Sequence, residues 1–125
     1  MAPAAVERSF GPPVLGLDRR DPGKYTVHME DLVFKWDDRK NKANIKKHGI
    51  SFEEARSVFF DEKATAFFDP DHSEDEDRFI LLGISVRLRI LVVCHCFRED
   101  ETVVRIISAR KADKEEAQDY WRRRS

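Results

Sequence analysis

Apolar and polar positions alternate in a way that divides residues 32–124 into strands and helices. Residues 32–36 (LVFKW) form a short apolar run and predict a strand. Asp37 then serves as a helix N-cap, residues 38–48 predict a helix, and Gly49 stops it. Ser51 and Glu54 have the spacing of a capping box. Phe52, Ala55, Val58 and Phe59 recur at helical spacing, so a second helix buries one face and ends near Asp61. Residues 64–68 predict a strand, and residues 69–77 (DPDHSEDED) an acidic loop. Strands are predicted over 78–84, 89–97 and 102–110. Their links at 85–88 and 98–101 are short enough for an antiparallel meander. Residues 113–124 predict a closing helix, with Asp113 as its cap and Glu116 three residues on. The predicted order is β-α-α-β-β-β-β-α, an α+β domain with helices packed on a small antiparallel sheet.

The first helix is the odd element. Its apolar residues Ala43 and Ile45 lie about 160° apart and cannot form one stripe. Lys40, Asn44, Lys47 and His48 instead share roughly 100° of arc. Two readings stand: a solvated face, or a basic strip held between apolar anchors (Phe34 and Trp36 before, Ile50 and Phe52 after) and presented to an anion.

Composition separates the N-terminus from the rest. Pro3, Pro12, Pro13 and Pro22 fall within residues 1–31 with Gly11, Gly16 and Gly23, which argues against a helix or buried strand there. Residues 1–31 are read as a disordered or loosely attached tail, and residues 32–125 as the folded domain. Met29 offers an alternative start, with the residues before it non-native.

Charge narrows the function classes. Charged residues make up 38% of the 125-residue chain, yet the net charge is −1. No bulk basic field draws the chain onto nucleic acid or membrane, so an RNA or DNA site would be a local patch. No stretch reaches the roughly 18 apolar residues of a membrane span, and the start lacks a secretory pattern. Cys94 and Cys96, two apart on a strand, are poorly placed to bond to each other. Two reduced thiols suit the cytoplasm. Cys-His-Cys at 94–96 lacks a second ligand cluster, and a strand turns His95 away from both sulfurs, so no metal and no cofactor is expected.

The short links also suggest a register. If Phe97 pairs with Thr102 and Ile84 with Arg89, then Arg78, His95, Ser108 and Arg110 share one sheet face. Arg105 then lies on the other face with Cys94 and Cys96. A floor holding Arg78, Arg110 and a titratable His95 could bind phosphate and stabilise charge developing on it. The plainer reading is arginines at strand ends facing water. The acidic loop is either a soluble loop, or an internal counter-charge or a contact for a basic partner.

At these residues the sequence resembles the BrnT family of type II toxin–antitoxin toxins. The matching positions are Trp36-Asp37, Lys40, Asn44, Lys47-His48-Gly49, Phe52-Glu53-Glu54-Ala55, the DPDHSE of 69–74, Arg78-Phe79-Ile80, Leu91-Val92-Val93 and Arg105-Ile106-Ile107-Ser108-Ala109-Arg110. They run in order over most of the folded domain. The resemblance implies a RelE-like fold and a metal-independent endoribonuclease that arrests translation. It implies a BrnA-like antitoxin of the ribbon-helix-helix kind, DNA contact only through that antitoxin, and a heterotetramer or larger assembly.

The resemblance also implies roles. The ribose 2′-OH attacks the neighbouring phosphorus, so the site needs proton-transfer groups and cations. Arg78 and Arg110 are the expected phosphate cations, Lys47 a cation or proton-transfer group, and His48 or His95 the acid–base group. Lys40, Asn44, Arg105 and Ser108 are the expected RNA contacts, with Lys40, Lys47 and His48 facing the sheet arginines. The alternative is a non-catalytic RNA- or antitoxin-binding module on the same fold. Few aromatics are available for base stacking, which weighs against a reader of single-stranded RNA. A DNA-binding regulator is disfavoured by the lack of helix-turn-helix spacing and of net positive charge.

Overall fold

The computed structural model describes residues 16–17, 25–26, 32–98 and 102–124. Two short strands, β1 (Gly16–Leu17) and β2 (Tyr25–Thr26), pair antiparallel. The rest of the tail predicted over 1–31 lies outside the described residues. The domain then runs β3 (Val33–Lys35), α1 (Asp38–His48), α2 (Phe52–Ser57), a 3₁₀ turn (Val58–Phe60), β4 (Thr65–Phe68), a second 3₁₀ turn (Pro70–His72), β5 (Phe79–Ile84), β6 (Ile90–Arg98), β7 (Val103–Lys111) and α3 (Lys114–Arg124). Five strands form one sheet in the order β3-β7-β6-β5-β4. The last four strands are the antiparallel meander. The sheet is nevertheless mixed, because β3 lies parallel to β7 on the edge. Nothing in so short a strand revealed its direction.

The caps explain the helix limits. The Asp37 carboxylate accepts from the N–H groups of Arg39 and Lys40. Gly49 ends α1 in the left-handed region at φ 72°, where a side chain would be strained. Ser51 Oγ accepts from Glu54 N, but only half of the predicted capping box forms. The Glu54 carboxylate turns away to Ser85 and Arg89. The reciprocal box appears at α3, where Asp113 and Glu116 each bond the other's backbone N–H.

One sheet face carries the main core. Leu81, Leu91, Val93, Val104, Ile106 and Ala109 pack beneath Ile50, Phe52, Ala55 and Val58. At Gly83 the 3₁₀ turn and the chain after it come so near that an added Cβ would lie 2.9 Å from Val58 Cγ1 and 2.8 Å from the Ala64 Cβ. On the opposite face α3 covers one end of the sheet, with Tyr120 buried against Leu82 and Val92. Asp61 joins these layers, since its Oδ2 accepts from Tyr120 OH at 2.6 Å and from Ile84 N at 2.9 Å.

Within the polar stripe of α1, Asn44 turns inward while Lys40 and Lys47 stay exposed. Asn44 is 6% exposed, whereas Ile45 is 44% exposed. The Asn44 amide donates to Ile50 O and Ala109 O, both at 2.8 Å, and its carbonyl accepts from Ala109 N at 3.1 Å. The helix thus docks on β7 through hydrogen bonds rather than an apolar stripe. Asn41 adds a bond by accepting from Phe52 N. A buried Asn engaged in three bonds is not an RNA contact, so the expectation for Asn44 is corrected.

Replacing Asn44 with Leu would leave three backbone groups without partners. The expected loss is about 2–4 kcal/mol of unfolding free energy, read from urea unfolding. Gln at this position, with the same groups on a longer stem, is expected to restore only part of it.

Candidate functional site

The β6–β7 pairing is offset by two residues from the predicted one, with Phe97 meeting Val104 rather than Thr102, which changes no face. Two further departures decide which side chains share a face. The β5–β6 hairpin pairs Ile84 with Ile90 rather than Arg89. Its loop is longer by one residue because Leu88 adopts a left-handed conformation, φ 62°. Ser85 N donates to Arg89 O and Leu88 N to Ser85 O. This slip pairs His95 with Phe79 instead of Arg78. The second departure is a bulge: Cys94 pairs with Ser108 but His95 with Ile106, leaving Ile107 as the extra residue of β7. Arg105 and Ser108, three apart, would otherwise point to opposite faces. The bulge brings both onto the face that also carries Cys94, Cys96 and Arg110.

His95 therefore leaves the predicted floor. It is 1% exposed on the core face, ringed by Phe59, Phe79 and Phe97 with centroids 4.9, 6.2 and 5.4 Å away. Its Nδ1 bonds Val93 O. Burial lowers its pKa from the ordinary 6.5 to about 4. A neutral imidazole only 1% exposed and enclosed by aromatic rings cannot reach RNA, so its acid–base assignment is corrected.

The opposite face, beyond the end covered by α3, carries no helix among the described residues. Arg78, Arg98 and Arg105 gather here around Cys94, Cys96 and Ser108. The acidic loop arches onto the same area. Glu76 pairs with Arg98 at 2.8 Å and with Arg78 at 3.8 Å. The loop thus supplies counter-charge within the chain. Arg105 forms no ion pair among the described residues. Arg78 Nε is buried without an acceptor, and no other buried side-chain polar atom among the described residues lacks one. Ser108 hydrogen-bonds the Cys94 sulfur, while burial and the negative charge of Asp69 push that thiol up to about 11. Cys94 and Cys96 are both unpaired thiols. No group of three or more His, Cys, Asp or Glu residues among the described residues is arranged to hold a metal ion.

The other expected residues are distributed less compactly. Arg110 shares this face, yet its guanidinium grips both carboxylate oxygens of Glu116, at 2.8 and 3.0 Å. That pair holds the Arg110 pKa up and the Glu116 pKa down. A phosphate at Arg110 would have to displace Glu116. Lys40 and Lys47 are exposed and His48 half-buried on α1, which packs on the core face. They do not face the sheet arginines. Sequence reasoning missed Arg98, Glu76 and a close pair in the loop, His72 Nδ1 and Asp69 Oδ2, 2.9 Å apart. The DPDH spacing was the available signal, since residues three apart meet across a 3₁₀ turn.

This is a small α+β domain presenting clustered arginines on one sheet face, a surface chemically suited to phosphate groups. Residues 36–116 match the family model described as the ribonuclease toxin, BrnT, of type II toxin–antitoxin systems. The chain belongs to that family, and a protein antitoxin is the partner such a toxin has. Among solved structures it is similar to the 1.1 Å crystal structure of the Brucella abortus ribonuclease toxin, BrnT. Identity is 25%, the TM-score is 0.52, and the match covers 66% of this chain and 99% of that one. No protein with a curated description matches the sequence. No helix among the described residues is long and apolar enough to cross a membrane.

His95 sets a pH dependence of stability. Its folded pKa, about 4, lies below the ordinary 6.5, so the unfolded chain takes up the proton first. Stability is complete above about pH 6.5 and falls as the pH drops toward 4, by up to on the order of 3 kcal/mol. Urea unfolding at about pH 7.5 and about pH 4.5 is expected to show this loss in the wild type and a smaller one in His95→Leu.

Proposed function

We propose that this protein is a cytoplasmic, RelE-like endoribonuclease that cuts RNA by 2′-OH attack without a metal ion and so arrests translation. The observation that carries the reading is the half of the sheet face that no helix covers among the described residues, where Arg78 lies by Cys94 and its partner Ser108, and Arg98 and Arg105 lie by Cys96. A phosphodiester passing through a phosphorane-like transition state gains negative charge on its equatorial oxygens. Fixed guanidinium groups meet that charge with paired N–H donors, the role a metal ion fills elsewhere. Arg78 has a further reason to act, since its Nε lacks an acceptor. Ser108 and Arg105 contact the backbone next to the cleaved phosphate. Lys40, Lys47 and His48 form a second basic strip on the far side, where they hold RNA away from the reacting atoms. Arg110 joins only when Glu116 releases it.

A net charge of −1 leaves little long-range pull on RNA, so binding rests on this local cluster. Glu76 lowers its charge at rest, and an RNA phosphate would compete with that carboxylate. A BrnA-like ribbon-helix-helix antitoxin neutralises the toxin in a heterotetramer, and DNA contact comes only through it.

End-labelled RNA incubated with the full chain in EDTA is expected to yield fragments with cyclic-phosphate ends. Arg78→Ala, checked for equal thermal stability, is expected to cut about 10²–10³-fold more slowly, and Arg105→Ala to be slowed less. Intact RNA with the wild type, both free and on translating ribosomes, would instead support a binding module. Cleavage that stops in EDTA would remove the metal-free mechanism.

A further inference from the structure

We infer that His72, oriented by Asp69, is the acid–base group of the cleavage proposed above, and the inference rests on that reading. Three histidines lie among the described residues. His95 is sealed in the core, and His48 sits on α1, across the sheet from the arginines. His72 is on the arginine side. Its side chain is 66% exposed, while the Asp69 side chain beside it is only 11% exposed.

The pair is built into the arginine site rather than hanging from a free loop. Asp69 N donates to Arg78 O at 2.8 Å. Ser73 Oγ donates to Asp69 O and accepts from Arg78 N at 2.9 Å. The turn carrying His72 is thus bonded to the backbone of Arg78, the proposed phosphate cation. The charge of Asp69 also reaches Cys94, the neighbour of Ser108. Pro70 at the start of the turn limits its freedom further.

The geometry assigns the protons. The Asp69 carboxylate only accepts, so the hydrogen on the His72 ring belongs on Nδ1. Nε2 is then the free acceptor and is open to a bound nucleotide. In the reaction the 2′-oxygen bonds to phosphorus while its proton passes to Nε2. The bond from phosphorus to the 5′-oxygen breaks, its electron pair leaves on that oxygen, and the oxygen takes a proton from water. The products are a cyclic phosphate and a 5′-hydroxyl, and the imidazolium returns its proton to solvent. Asp69 stabilises the imidazolium and holds the ring, so it is a positioning residue.

The test compares the full-length wild type, His72→Ala, Asp69→Asn and Arg78→Ala on end-labelled RNA, free and in a translating extract, with and without added imidazole. His72→Ala is expected to lose about 10²–10⁴-fold in kcat with little change in KM, and imidazole to restore part of the loss. Asp69→Asn is expected to lower kcat with KM unchanged. A His72→Ala protein that cuts at the wild-type rate while Arg78→Ala does not would overturn this inference and leave the ribonuclease reading intact. So would a loss that imidazole does not relieve. A wild type that cuts neither substrate would overturn both.

Discussion

The carboxamide of Asn44 stands in for a strand. β3 pairs with β7 only as far as Lys35 and Arg105, and beyond that point the outer edge of β7 needs another partner. Asn44 bonds both backbone groups of Ala109 and also Ile50 O. One side chain thereby closes a sheet edge and fixes α1. It also sets the entry into α2, where the buried residues Ile50 and Phe52 begin the core. An unpaired strand edge is costly in the interior, and this amide removes the cost without another strand.

A fixed β7 matters because that strand carries the arginine motif. The bulge at Ile107 lets one strand serve two needs. Ile106 and Ala109 both point into the core, and Arg105, Ser108 and Arg110 all point away from it. A regular strand with Ala109 inward would have buried Arg105 and exposed Ile106, and one with Ile106 inward would have buried Ser108 and Arg110. Bulges commonly re-aim side chains near functional sites, and here one concentrates the cationic groups on the face that α3 leaves uncovered.

The electrostatics of that face are self-contained. A nearly neutral chain gathers its arginines locally and lays its acidic loop over them, with Glu76 between Arg78 and Arg98. A second arginine pocket, Arg89 with Glu54 and Ser85, is structural. There the guanidinium holds the Glu54 pKa below its ordinary value against the opposing effect of burial. The two clusters use the same chemistry, and they differ in what covers them. Glu54, on the inward side of α2, is 5% exposed, whereas the Arg78 cluster opens to solvent.

The sequence by itself determined the local elements. Asp37, Gly49, Ser51 and Asp113 mark helix ends through short-range hydrogen bonds and backbone preference, so α1 was legible to the residue. Apolar alternation marked β4 to β7 for the same reason, and the family motif was visible because it is a matter of residue order alone. Tertiary structure decided everything that depends on register. Leu88 takes a left-handed conformation without being Gly or Asn, and the bulge at Ile107 has no signature in its neighbours. With a side-chain period of two, those two changes moved His95 into the core and Arg105 beside Ser108. The inward turn of Asn44 was hidden for a related reason. A polar stripe faces water or a sheet edge depending on what lies opposite, and only the packed chain supplies the opposite side.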